Sequence, residues 1–392
     1  MKLLIYSHFF APSVGGVETI VLSLARGLAA LRDSNGSPQF EITLVTQTPV
    51  GNSQDGALPF RVIRKPSFMR LWRLVQKSEI VHIAGPALAP MILSLAACKP
   101  FVIEHHGLQT ICPNGQLLIE PASKPCPGHF MSKRHTECLR CNSGSGWLGS
   151  YRLWLLTFAR RFLCAHAAAN VAPTRWLGRL LDLPRVVVIH HGLEVRENAP
   201  RPKPRPGNPT IVFIGRLVTT KGVSLLIEAA HMLSHERYGH KVHVAVVGDG
   251  PERASLEELT RDLRLEEQVR FLGHLDAAHL DATLAQASAV VVPSLGGEVF
   301  GLVVAESMSR GLPVVVSDLG ALTEVLGDSG LTFRTGDAED LSAMIRRLLD
   351  HPQFAAALGY DARERAQLAY ALDSMIVSHL LLYSQFCPLQ NR

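Results

Sequence analysis

Short apolar runs separated by loops and amphipathic helical stretches recur along the whole chain. Residues 2–6 read as a buried strand and the loop APSVGG follows; residues 17–31 then place Ile20, Leu24 and Leu28 on one helical face. Further runs at 41–45, 80–83, 101–104, 170–172 and 186–189 read as strands, several with helical patterns between them. Such alternation predicts a parallel sheet with helices on both faces. The stretch RPKPRPGNP, residues 201–209, carries four prolines, which disfavour helix and central strand and favour a stiff connector. Beyond it the pattern restarts, with strands at 210–214, 241–247, 269–272, 289–293 and 313–317 and helices at 223–233, 253–263, 302–310 and 338–349. The expectation is an α/β chain of two doubly wound Rossmann-like domains, residues 1–200 and 201–369, facing a central cleft. Ligands of such sheets lie beyond the carboxyl ends of the strands, so the chemistry is sought in the loops there.

Composition supports a globular chain: 392 residues, 47% hydrophobic and 19% charged, exceed what one core usually serves. No stretch reaches the roughly 18 consecutive apolar residues of a spanning helix. The run at residues 3–10 is too short for a signal-peptide core, so the chain is read as cytoplasmic. A net charge of +5 suits phosphate-bearing substrates, an anionic membrane surface or nucleic acid, and does not choose among them.

The segment PSLGGEVFGLVVAESMSRGLPVVVS, residues 293–317, carries the most chemistry. A helix beginning near Gly301 directs the backbone N–H groups of Phe300, Gly301, Leu302 and Val303 toward hydroxyl or phosphate oxygens. Glu298 and Glu306 stand on either side, positioned to accept hydrogen bonds from a hexose and a ribose respectively. EVFGLVVAE resembles the paired-glutamate motif of glycosyltransferase family 4, whose members have the GT-B fold. GRLVTTKG, residues 215–222, is similar to the family's diphosphate-holding loop, which implies that role for Arg216 and Lys221. Two fixed cations and a helix N-terminus would stabilise a departing nucleoside diphosphate without a metal, so no catalytic cofactor is expected. Gly15 and Gly16 match the family's Gly-rich donor loop, and Gly248 in VVGDGPE matches a loop of its second domain. FVIEHHGLQ, residues 101–109, aligns His106 with the family's donor-contacting histidine, whereas His105 reads as a structural loop residue; His191 stands where the family generally has Asn. The resemblance further implies retention of anomeric configuration, a nucleotide-sugar donor, UDP- or GDP-linked, and a glycan or lipid-linked acceptor. Residues 370–392 are expected to pack back on the first domain, as the family's last helix does.

Between residues 111 and 147 the periodicity breaks into a Cys-, Gly- and Pro-rich insertion holding four of the seven cysteines, Cys112, Cys126, Cys138 and Cys141. In a reducing compartment a structural zinc is the leading reading, with His129 or His135 able to replace a thiolate. An iron–sulfur cluster, disulfides and unpaired thiols are the alternatives. Residues 150–167 and 68–77 are aromatic and basic helices, compatible with peripheral membrane contact, although a core helix with snorkelling arginines is preferred for the first. Two rivals are weaker. A sugar-nucleotide epimerase of similar architecture would lack the pairing of Arg216 with Lys221, and a zinc-containing nucleic-acid-binding protein leaves the second domain's motifs unexplained, so no nucleic-acid partner is expected.

Overall fold

A computed structural model describes all residues except 14, 52–54, 121, 142–145, 195–208, 236–240 and 388–392. The expected boundary at 200/201 lies outside the described residues. By its contacts the chain divides into two units, one of Met1–Gly115, Gly128–Gly192 and Ala371–Arg392, the other of Gln116–Pro127 and Leu193–Tyr370.

The first unit contains β1 (Lys2–Ser7), β2 (Glu41–Thr46), β3 (Arg61–Arg64), β4 (Ile80–Ala84) and β5 (Phe101–Glu104). A two-stranded antiparallel ribbon, β6 (Leu118–Ile119) and β7 (Lys124–Pro125), comes next in the chain, and β8 (Ala169–Ala172) and β9 (Val186–Val188) return to the first sheet. That sheet is parallel throughout, in the order β3-β2-β1-β4-β5-β8-β9. Strands β4, β5 and β8 are buried along their whole length, which is why they appear in the sequence as apolar runs and not as alternations. Strand β3, at the sheet edge, buries only Ile63 and gave no such signal. The helix Leu372–Ser384 packs on the helix Gly16–Ala30 of this unit.

The second unit holds β10 (Thr210–Ile214), β11 (His243–Val247), β12 (Val269–Gly273), β13 (Ala289–Val292), β14 (Val314–Ser317) and β15 (Leu331–Phe333) in the parallel order β12-β11-β10-β13-β14-β15. Chain order reverses between β10 and β13, the place in such sheets beyond whose strand ends ligands bind. Sequence reading assigned the whole insertion to the first domain, but its ribbon belongs to the second unit. The reason is Leu118, fully buried in an apolar core with Leu217, Val223 and Leu295. Leu118→Ala is therefore expected to cost about 2–5 kcal/mol, read from the urea midpoint; a loss below about 0.5 kcal/mol, the range of surface substitutions, would show that the ribbon is not part of that core.

Candidate functional site

The two loops at the second sheet's reversal point are tied together by backbone and side chains. After β10 the chain runs through Arg216, which is exposed, into a short 3-10 turn, Thr219–Lys221. Thr220 O accepts the Leu295 N–H of the loop after β13 at 2.8 Å. Lys221 Nζ lies 2.6 Å from Glu298 Oε1, which also accepts the Ser294 hydroxyl at 2.7 Å. Ser317 Oγ donates to Ser294 O at 2.7 Å and fixes that residue in turn. Both of Glu298's contacts fall on Oε1, so its Oε2 has no hydrogen-bond partner among the described residues. The geometry thus presents one cation and one acceptor oxygen side by side.

The helix Leu302–Ser309 starts beside them, with Gly301 at its N-cap and no side-chain cap. Its first internal bond is Val304 N–H to Gly301 O at 2.9 Å, so the Leu302 and Val303 N–H groups come before the ladder, as first-turn donors do. The side chain of Phe300, in contrast, is core: it is 1% exposed and meets Tyr370 edge-on. Only its backbone can serve a ligand. Glu306 is largely buried in the helix; burial raises its pKa, with Arg310 pulling the other way, and its carboxylate makes no hydrogen bond among the described residues. Gly248 has φ +129°, and a Cβ there would stand 1.9 Å from Gly215 O. Its glycine is needed for the close approach of two backbone loops.

In the first unit Gly15 is extended, at φ −175°, a conformation any residue adopts, and Gly16 opens a helix, so the backbone there does not itself require the glycine pair. His105 is buried with Nε2 3.0 Å from the Asn170 side chain, the structural role expected of it. His106 stacks on His191 with ring centroids 5.1 Å apart, and both face Glu104: His106 Nε2 is 3.5 Å from its Oε2 and His191 Nδ1 is 3.4 Å from its Oε1. Burial pushes the Glu104 carboxyl pKa up, but His106, His191 and His82 together outweigh it and hold the group well below the usual range. His191 thus has a defined place despite departing from the family's usual Asn. Sequence reading missed Glu104, His82, His379, Ser294 and Thr220. Of these only Glu104 left a signal, a lone acid closing an otherwise apolar strand.

Three of the four insertion cysteines, Cys112, Cys138 and Cys141, lie in the first unit, where Asn114 accepts from Cys112 Sγ at 2.8 Å and donates to Cys141 Sγ at 3.5 Å. Cys126 lies in the second unit. His135 packs its ring edge-on against Phe130 and Trp154. Among the described residues, groups of three or more His, Cys, Asp or Glu ligand atoms within 4.8 Å of one another occur around Glu104, and neither of the two includes a cysteine.

Residues 195–365 match the family described as Glycosyl transferases group 1, and residues 14–197 match Glycosyltransferase Family 4. Phosphatidyl-myo-inositol mannosyltransferase of Mycolicibacterium smegmatis is 31% identical over 273 residues, 68% of this chain and 67% of that protein. Glycogen synthase of Mycobacterium tuberculosis is 32% identical over 232 residues, so the matched stretch spans 55% of that relative's length and 56% of this chain. Among solved structures, HepE of Anabaena in complex with UDP and glucose has a TM-score of 0.74 at 18% identity, covering 98% of this chain and 100% of that one. Sucrose-phosphate synthase from Thermosynechococcus elongatus has a TM-score of 0.73 at 20% identity, covering 98% of each. The fold is GT-B, and the family matches make the chain a glycosyltransferase. More narrowly, the chain belongs to glycosyltransferase family 4.

Proposed function

We propose that the protein is a retaining, metal-independent hexosyltransferase that moves a hexose from a UDP- or GDP-hexose to a glycan or lipid-linked acceptor at the inner face of the cell membrane. The observation that carries the reading is the 2.6 Å pairing of Lys221 with Glu298 at the reversal point of the second sheet. Lys221 and Arg216 would take the donor diphosphate together with the first-turn N–H groups of Leu302 and Val303, and Glu298 Oε2 would accept from a hexose hydroxyl. Glu306, mostly buried and with no hydrogen bond among the described residues, suits ribose hydroxyls. As the anomeric carbon–phosphate oxygen bond breaks, negative charge grows on the diphosphate, where these fixed positive groups stabilise it most. The acceptor oxygen bonds to the same face of the anomeric carbon, and its proton passes to the leaving phosphate oxygen. His106 orients the sugar and needs no proton-transfer role. A mannosyltransferase among the relatives and a UDP- and glucose-bound neighbour support this donor class. Incubation with UDP- and GDP-hexoses and a lipid-extract acceptor, read by NMR of the new linkage, should give a product of the donor's anomeric configuration; an inverted product would overturn the mechanism.

The membrane part of the reading rests on a surface that the sequence reading had assigned to the core. On the helix Gly146–Ala165, Trp147, Leu148, Leu155 and Phe162 are 75%, 74%, 51% and 62% exposed, so this is no buried helix with snorkelling arginines. The helix Phe68–Lys77 exposes Phe68 and Met69 beside Arg70, Arg73 and Lys77, and the helix Leu88–Ala96 touches both. No helix among the described residues is long and apolar enough to cross a membrane. Apolar side chains flanked by cations suit the headgroup region of anionic lipid. Leu155→Ser with Phe162→Ser is expected to weaken sedimentation with phosphatidylglycerol vesicles about tenfold or more, with the donor site unaffected; unchanged sedimentation would remove the membrane from the proposal.

A further inference from the structure

A second group of buried polar side chains in the first unit shares Glu104 with His106 and His191 and adds His82 and His379. Glu104 closes β5, His82 sits in the middle of β4 and His379 comes from the returning helix Leu372–Ser384; all three are fully buried. The Nε2 atoms of His82 and His379 lie 3.1 Å and 3.8 Å from the same oxygen, Glu104 Oε2. All three ligand atoms fall within 4.8 Å of one another. The His379 contact is too long for a hydrogen bond and the His82 contact, though short, lacks the geometry of one: His82 Nε2, His379 Nε2 and both Glu104 oxygens have no hydrogen-bond partner among the described residues. Buried polar atoms left in that state are destabilising.

The far nitrogens of the two rings show what is needed between them. His379 Nδ1 is 2.9 Å from Met375 O, and a carbonyl can only accept, so Nδ1 carries the hydrogen. In the neutral ring Nε2 then presents its lone pair to an anionic carboxylate. His82 Nδ1 is 2.8 Å from the Tyr383 hydroxyl, which can accept from it and favour the same tautomer. With His82 in that tautomer two lone pairs face the carboxylate, an arrangement that a cation between them relieves. A metal ion supplies that cation without protonating either ring.

At metal–ligand distances of about 2.0–2.2 Å, neighbouring ligand atoms stand ~2.9–3.5 Å apart. The 3.1 Å contact lies in that range and the 3.8 Å contact is a few tenths of an ångström outside it. Histidines that bind metal usually donate their other N–H to a carbonyl or similar group, as the Met375 and Tyr383 contacts allow here. We propose that His82, Glu104 and His379 bind a divalent transition-metal ion, zinc by preference, and that this ion fastens the C-terminal helix to the sheet of the first unit. Two imidazoles and a carboxylate form a ligand set for zinc or iron(II). The ligands are fully buried, which gives the ion a structural place, and the helix it holds returns over a long separation: Tyr383, beside His379, is 301 residues from its partner His82.

The test uses the full chain produced in zinc-supplemented medium, with metal content measured by mass spectrometry and Tm followed before and after chelation. About one zinc per chain that depends on His379 is expected, with Tm falling by roughly 5 °C or more on removal and recovering on re-addition of zinc. Zinc bound at this site should be lost in His379→Ala and kept when Cys138 and Cys141 are both changed to Ser. If His379→Ala does not fold, cobalt(II) added to the apo wild type decides: absorption from nitrogen and oxygen ligands without a thiolate charge-transfer band supports the site. A thiolate band alone, zinc lost only with the cysteines, or a protein that takes up no metal and keeps its Tm would overturn it. In the last case the cluster is held by protons.

Discussion

Glu298→Gln is expected to lower the rate of sugar transfer about 10²- to 10³-fold, as removal of one preorganised polar group from such a site does. The change is nearly isosteric, and the amide can still accept from Ser294. What disappears is the negative charge that holds Lys221 at 2.6 Å and gives the unoccupied Oε2 its strength as an acceptor. Lys221 is then free to swing toward solvent, and the hexose loses a charged hydrogen-bond partner in the same step. Far-ultraviolet circular dichroism and Tm should change little, because Lys221's side chain is already 30% exposed. Wild-type turnover in this variant would remove Glu298 from the donor site.

Gly222→Ala acts on the same two loops through the backbone. Gly222 has φ +63°, and a Cβ there would stand 2.1 Å from Pro293 O. Neither atom can yield cheaply, since Pro293 is followed at once by Ser294 and Leu295, whose N–H is bonded to Thr220 O. The left-handed conformation and the clash together are expected to cost about 3 kcal/mol. Parting the loops also separates Lys221 from Glu298, so transfer should fall with stability. Differential scanning calorimetry with a transfer assay checks both; an unchanged Tm with normal transfer would mean that the loops are not coupled as described.

Much of this architecture was legible in the sequence because fully buried parallel strands leave apolar runs, as at 289–293 and 313–316. Glu298, Lys221 and Arg216 stood out in the sequence through motifs that resemble the family's and that lie in loops after strands, and the structure brings Lys221 and Glu298 together. Strand β3 was not, since an edge strand of four residues buries only Ile63 and carries an arginine at each end. The ribbon's membership of the second unit was hidden because it turns on one side chain, Leu118, buried among residues far along the chain. Glu104, His82 and His379 escaped notice for the same reason. Each is an isolated polar residue in an apolar element, and only folding brings the three together. The exposed apolar stripe of the helix Gly146–Ala165 was misread because periodicity shows that a helix has an apolar face without showing what covers it.

The proposed nucleoside-diphosphate site is built on Lys221 and needs no metal. Calorimetric titration with UDP, GDP and ADP in the absence of divalent metal, repeated on Lys221→Ala, tests it most directly. UDP or GDP should bind the wild type, and the binding should be lost in the variant. Equal binding by the two proteins, or binding only once a divalent metal is added, would contradict the proposed site.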